Sequence, residues 1–165
     1  MPREGASGLP TMPNSAMSED ARILSFMHAK DQNEVRIGKL AQGKATSADA
    51  KAYADMLVKD HGDHDEQVMA VAKGANITLT TPPASAGDDP ATVLGTLSGA
   101  EFDRKFGELM ATGHQEVILA VEAAQAKLTN VEVKSLVEKT LPVLRHHLEM
   151  ARKLGTAATP IPPAP

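Results

Sequence analysis

The stretch Ala50-Lys-Ala-Tyr-Ala-Asp-Met-Leu-Val-Lys-Asp-His61-Gly-Asp-His64-Asp-Glu-Gln-Val-Met-Ala-Val-Ala-Lys-Gly-Ala75 decides the fold. Stepping by four and three residues selects Ala50, Ala54, Leu57, His61, His64, Val68, Val71 and Ala75, one continuous stripe of a helix. That stripe is a bundle seam of small and aliphatic residues, and it carries two histidines.

The same stepping works outward along the chain. It gives Met110, His114, Val117, Val121, Ala124 and Leu128 on a third helical segment, and Val133, Val137, Thr140, Leu144, His147, Ala151 and Leu154 on a fourth. Upstream it gives Ile23, Met27, Lys30, Glu34, Ile37 and Ala41. Each segment is opened by a capping residue and most are closed by glycine: Ser18 to Gly43, Ser47 to Gly74, Ser98 to Leu128 and Asn130 to Gly155. Thr46 with Asp49, Ser98 with Glu101 and Thr129 with Glu132 have capping-box spacing.

Two connections span only a few residues, so the first and second helices, and the third and fourth, form antiparallel hairpins. The connection 76–97 holds Pro82, Pro83, Gly87, Asp88, Asp89 and Pro90, and at about 3.3 Å per extended residue it can run the length of a helix. The expectation is an all-α, ferritin-like four-helix bundle over 18–155, with two antiparallel hairpins joined by a long crossover. An up-down-up-down bundle with a free loop satisfies the same spacing. Residues 1–17, rich in Pro, Gly and Ser, and the Pro/Ala tail 156–165 read as disordered.

Composition agrees with one domain, since 165 residues with 42% hydrophobic content fill a single core. Aromatic residues make up only 2%, namely Phe26, Tyr53, Phe102 and Phe106, so the core is aliphatic, alanine and methionine. A net charge of −4 with dispersed lysines offers no field for a phosphate backbone, which sets nucleic acid aside. No apolar run reaches the roughly 20 residues of a membrane span, and the amino terminus lacks the pattern of a signal peptide. The chain has no cysteine, which excludes disulfides, thiolate metal ligands and a cysteine nucleophile.

The chemistry lies in the seam. Glu34, His61, His114 and His147 each fall near the middle of a different helix on its inward stripe, with His64 on the same stripe as His61. A buried carboxylate is expensive to desolvate without a partner. Imidazoles with a carboxylate suit zinc, copper, iron or manganese. Asp60 points off the seam, positioned to orient an imidazole of a neighbouring helix. Asp103 faces inward near the start of the third helix, as a support for the site, a salt bridge or a cap. His146 flanks the seam as a weaker candidate. The alternative is a structural hydrogen-bonded network of the same residues. For Met27, Met56, Met69, Met110 and Met150 the commoner role is core filling rather than a soft copper site. Pro142 removes one donor inside the fourth helix, which predicts a kink before His147.

At Glu34-Val-Arg-Ile-Gly-Lys-Leu-Ala41, Met56-Leu-Val-Lys-Asp-His61, Leu97-Ser-Gly-Ala-Glu-Phe-Asp-Arg104, Gly113-His114 and Leu141-Pro142 with His147-Leu148, the sequence resembles the bacterial ferritin-like family known as domain of unknown function 4142. The resemblance implies a ferritin-like fold and location in the periplasm or cell envelope, and supplies no activity. Glu34, Asp60, His61, Asp103, His114 and His147 match positions typical of the family, whereas His64 and His146 are particular to this chain.

Three functions follow as expectations: metal binding or buffering in the envelope, with a stress-related variant; a non-heme metal oxidase or peroxidase; and a structural or interaction module. The second needs about four carboxylates and paired Glu-x-x-His motifs, and the sequence has no Glu-x-x-His. No nucleophile elbow or phosphate loop supports hydrolysis. Substrate, protein partner and oligomeric state have no signal.

Overall fold

In a computed structural model, which describes residues 17–81 and 89–157, every regular element is a helix. The order is α1 (Glu19–Lys44), α2 (Ala48–Gly74), a short α3 (Pro90–Gly95), α4 (Gly99–Gln125) and α5 (Val131–Thr156). α1 pairs with α2 and α4 with α5 as two antiparallel hairpins, and the hairpins meet along the α2/α5 and α1/α4 faces. The segments 1–16 and 158–165, with most of the tails expected to be disordered, lie outside the described residues, as do Pro82, Pro83, Gly87 and Asp88. Thr156 belongs to α5 rather than to the tail.

The described parts of the crossover, up to residue 81 and from residue 89, lie along α1. Thr80 donates its backbone N–H to Ser25 Oγ (3.0 Å), Asp89 takes both Arg36 nitrogens (2.6 and 2.9 Å), and Lys44 Nζ reaches the Gly95 carbonyl (2.8 Å). These anchors rise in step along both segments, so the chain returns to the far end of the bundle before α4 starts. α3 was not expected; Asp89 caps it through Ala91 N–H and Pro90 opens it, a combination that starts a helix even of one turn or so.

Ser18, Ser47 and Asn130 cap α1, α2 and α5 through their side chains, whereas Ser98 precedes α4 without a side-chain hydrogen bond. Thr46 and Thr129 do not act as the capping-box residues their spacing suggested. Thr46 gives its backbone N–H and hydroxyl to Asp103 (3.0 and 2.8 Å), and Thr129 gives the same pair to Asp20 (3.1 and 2.5 Å). Each hairpin turn is therefore clamped by an aspartate from the first turns of the other hairpin. α2 closes on Asn76 at φ 54°, with Ile77 N–H returning to the Ala72 carbonyl, and not on Gly74.

A Cβ on Gly107 would lie 2.4 Å from the Gly155 nitrogen and 2.7 Å from the Ala151 carbonyl, so glycine lets α4 and α5 approach at their outer end. Apolar packing divides into two clusters. One gathers Leu24, Met27, Val68, Val121, Val137 and Leu148; the other gathers Ile37, Tyr53, Leu57, Phe102, Phe106 and Leu154. Between them lies a layer of buried polar side chains.

Candidate metal centre

Each of the four long helices sends a residue into that layer: Glu34 from α1, His61 from α2, His114 from α4 and His147 from α5. All four are buried, with relative exposures of 4%, 5%, 0% and 1%. Glu34 Oε2 lies 3.2 Å from His61 Nε2 and 3.3 Å from His114 Nε2. His147 Nδ1 lies 3.3 Å from both His61 Nε2 and His114 Nε2. One nitrogen from each ring lies within 4.8 Å of the other two.

The outward ring nitrogens fix what the inward ones present. His114 Nδ1 donates to the Met110 carbonyl (2.9 Å), which only accepts, so Nε2 turns a lone pair inward. His147 Nε2 donates to Asp60 Oδ2 (3.0 Å), leaving Nδ1 as the inward lone pair. His61 Nδ1 donates to Asp31 Oδ1 (2.8 Å). Three ring nitrogens from α2, α4 and α5 therefore face one point, with the Glu34 oxygen of α1 against two of them. Glu34 Oε2 is buried there without a hydrogen-bond donor.

The electrostatics follow from that crowding. Burial, together with the charge on His61, holds the His114 imidazole down at about 3 and His147 at about 4, so both rings are neutral near pH 7. Burial pushes the Glu34 carboxyl up to about 7; the charge of His61 opposes this and that of Asp31 adds to it. Burial also lowers His61, but Glu34 and Asp31 outweigh it and raise the ring above its ordinary value.

Asp31 was missed in the sequence. It is 3% exposed and joins His61 to His64, whose Nδ1 lies 2.7 Å from Asp31 Oδ2. Burial raises its carboxyl, and the hydrogen bonds from the two histidines together reverse this and lower it. The signal was available. Asp20, Leu24, Met27, Asp31, Glu34, Gly38, Ala41 and Ala45 follow the same stepping of four and three, and all are buried. Lys30, assigned to the seam, instead reaches the edge of the bundle, 3.6 Å from Glu116 and above the Phe26 ring.

Two further expectations need correction. His64 does not join the ring of inward nitrogens: its Nδ1 is on Asp31 and its Nε2 on Thr140 Oγ1 (2.8 Å). Asp103 does not support the cluster at all. Its carboxylate takes Thr46 and Ser47 at the α1–α2 turn, and Ser47 precedes His61 by about 21 Å of helix. Asp60 has an imidazole on its carboxylate, that of His147. His146 is exposed, with its ring 6.4 Å from that of His147.

Three buried imidazoles and a carboxylate, each imidazole held from behind by an acceptor, are a donor set that fits a transition ion. The orphaned Glu34 oxygen fits it too, since a cation at the shared point would supply the partner it lacks. Helical bundle and cluster together define a ferritin-like four-helix protein with a polar centre. The chain belongs to the DUF4142 family, a domain of unknown function, whose sequence pattern matches residues 6–154.

Solved structures resemble it in fold. A DUF305 fragment from Deinococcus radiodurans aligns with a TM-score of 0.77 at 13% identity, over 87% of this chain and 99% of that one. A DUF305 protein from Streptomyces coelicolor gives 0.74 at 16% identity, over 83% and 90%. CopM in its Cu(I)-bound form gives 0.70 at 17% identity, over 81% and 93%; it has also been solved with silver. No curated protein sequence matches the chain.

Proposed function

We propose that this protein binds one transition-metal ion at His61, His114, His147 and Glu34, and serves to hold or buffer that ion in the bacterial envelope. The observation that carries the reading is the buried Glu34 oxygen, which accepts no hydrogen bond and lies at contact distance from two of the three inward ring nitrogens, those of His61 and His114. An arrangement that buries a carboxylate oxygen without a hydrogen bond costs stability, and a cation at that point turns the cost into binding free energy. Asp31 and Asp60 hold the outer nitrogens of His61 and His147, which fixes ring orientation and raises ligand basicity.

Three carboxylates around the imidazoles favour a divalent ion over a monovalent one, with zinc and copper(II) ahead of iron and manganese for an imidazole-rich set. The Cu(I)- and Ag-bound forms of CopM support metal binding on this fold and leave the ion here open. The envelope location rests on the family resemblance and on the description of the Streptomyces coelicolor neighbour as a candidate secreted protein.

A two-metal oxidase is less well supported. Glu34 and Val117 each follow a clamping aspartate by fourteen residues, and His61 and Leu144 each follow a clamped threonine by fifteen. The positions that would build a second centre by the internal symmetry of the hairpins thus hold Val117 and Leu144. Both line a void of about 10 Å³ beside Glu34.

The test is thermal unfolding of chelator-stripped protein with and without zinc, copper, iron and manganese. An ion that binds only the folded state raises the midpoint by mass action, and the rise should vanish in His61→Ala and His147→Ala. Unchanged midpoints with every ion would leave the cluster as a structural hydrogen-bonded network.

A further inference from the structure

The buried centre needs a way in, and the two faces along which the hairpins meet differ sharply. On the α1/α4 side, Lys30 lies between Phe26 and Glu116, and behind it is a void of only about 10 Å³, lined by Met27 and Val117 along with Glu34, Asp31 and His61. A cation approaching there meets an ammonium group and then a void with little room for a hydrated ion. On the α2/α5 side a cleft of about 340 Å³ opens, and His61 and His147 form part of its lining.

The lining of that cleft is graded. Asp63, with its side chain 60% exposed, stands at the rim, Asp60 is 34% exposed, His64 is 17% exposed, and the two cluster histidines lie beneath at 6% and 1%. Asp60 spans the gradient, since it reaches solvent and also holds His147 Nε2. Thr140 and His64 hydrogen-bond across the cleft from α5 and α2. Pro142 leaves α5 one backbone donor short beside Thr140 and Val143, so this wall lacks a hydrogen bond that a continuous helix would have. Lys139 is the cation among the lining residues.

We infer that the α2/α5 cleft is the ion's portal, and that Asp60 and His64 pass a divalent cation from the rim to the His61–His114–His147 centre. This rests on the metal-binding reading of that centre. The cation sheds water against oxygen and imidazole donors on the way in rather than in one step at a buried site. His64 thus has a task though it stands outside the inward ring.

The probe is Co²⁺, whose visible absorption reports coordination. Loading of chelator-stripped protein is followed by stopped flow, release by mixing with excess chelator, and affinity by equilibrium titration. Val143, 44% exposed in the cleft wall, and Lys139 are outside the ligand set and suit substitution. Val143→Trp narrows the cleft and should slow loading and release alike, by about tenfold, with affinity unchanged. Lys139→Glu should speed loading severalfold at low ionic strength, and the gain should disappear in high salt. Lys30→Glu, on the other face, should leave the loading rate as in the parent.

Circular dichroism confirms that each variant is folded. Parental rates in both cleft variants, or faster loading in Lys30→Glu, would overturn the portal while leaving the centre intact. Absence of a Co²⁺ spectrum at equilibrium in the parent protein would overturn the centre and its portal together.

Discussion

Replacing Glu34 by glutamine keeps the shape of the side chain and removes a buried carboxylate oxygen that accepts no hydrogen bond in the metal-free protein. The amide can donate toward an inward ring nitrogen, so Glu34→Gln without metal should be as stable as the parent or more so, by roughly 1 to 2 kcal/mol. The same variant should lose most of the ion-dependent rise in unfolding midpoint. Differential scanning calorimetry with and without ion reads both. A metal-free protein destabilised by about 3 kcal/mol or more would mean that the carboxylate serves chiefly as the partner of a charged His61, and the metal reading would lose its carrier. Legibility at this scale was uneven. Glu34, His61, His114 and His147 were visible because an ionisable residue in an apolar seam breaks the pattern. Asp31 was not, because α1 has a polar seam in which the stripe through Ile23, Lys30 and Ile37 looked the more apolar. Both phases share Met27, Glu34 and Ala41, so the choice between them rested on Lys30 against Asp31. A long lysine can carry its charge out to the bundle edge, whereas a short aspartate must be paired where it stands.

Among elements, helix type and hairpin pairing could be read from periodicity, and the clamps between hairpins could not, because they join residues far apart in sequence. Asp20 holds Thr129 and Asn130, and Asp103 holds Thr46 and Ser47. From these clamps the hairpins match position for position: Met27 and Met110 follow the aspartates by seven residues, Asp31 and His114 by eleven, and His64 and His147 follow the threonines by eighteen. The Asp31–His64 contact is thus the counterpart of the His114–His147 contact. One hairpin supplies a carboxylate where the other supplies a ring. The clamps also set a pH dependence. Burial raises both carboxyls, but the hydrogen bonds from threonine and the residue after it outweigh it and hold Asp20 and Asp103 below the ordinary carboxylate value. A group with a folded value below its unfolded one stabilises fully above the unfolded value, about pH 4, and loses that stabilisation as pH falls through the folded value. Asp20→Asn and Asp103→Asn should each cost roughly 1 to 2 kcal/mol at neutral pH and flatten the acid limb of a stability profile measured by urea denaturation. An acid limb as steep as the parent's in both variants would assign the acid sensitivity to other groups.

For the molecule as a whole, the consequence of a centre built from α2, α4 and α5, with Glu34 of α1 against it, is that an ion there ties both hairpins across the layer that separates the two apolar clusters. Without it, the middle of the bundle contributes desolvated polar groups rather than apolar packing, so local opening between the hairpins is less costly there than at the clamped ends. Ion binding should therefore slow amide exchange near Glu34, His61, His114 and His147 together. An ion present at a hundredfold excess over its dissociation constant stabilises the bound state by about 2.7 kcal/mol, or about a hundredfold in exchange for amides that open only when the ion leaves. Amides in the crossover anchors at Arg36–Asp89 and Lys44–Gly95 lie on the outside of α1 and should change little. Hydrogen exchange followed by mass spectrometry of peptides from all four long helices measures this directly. Protection confined to α2 and α5 would mean that the ion stops in the cleft at Asp60 and His64, and that the ring beneath it is not the binding site; protection in all four helices is the pattern that the shared centre requires.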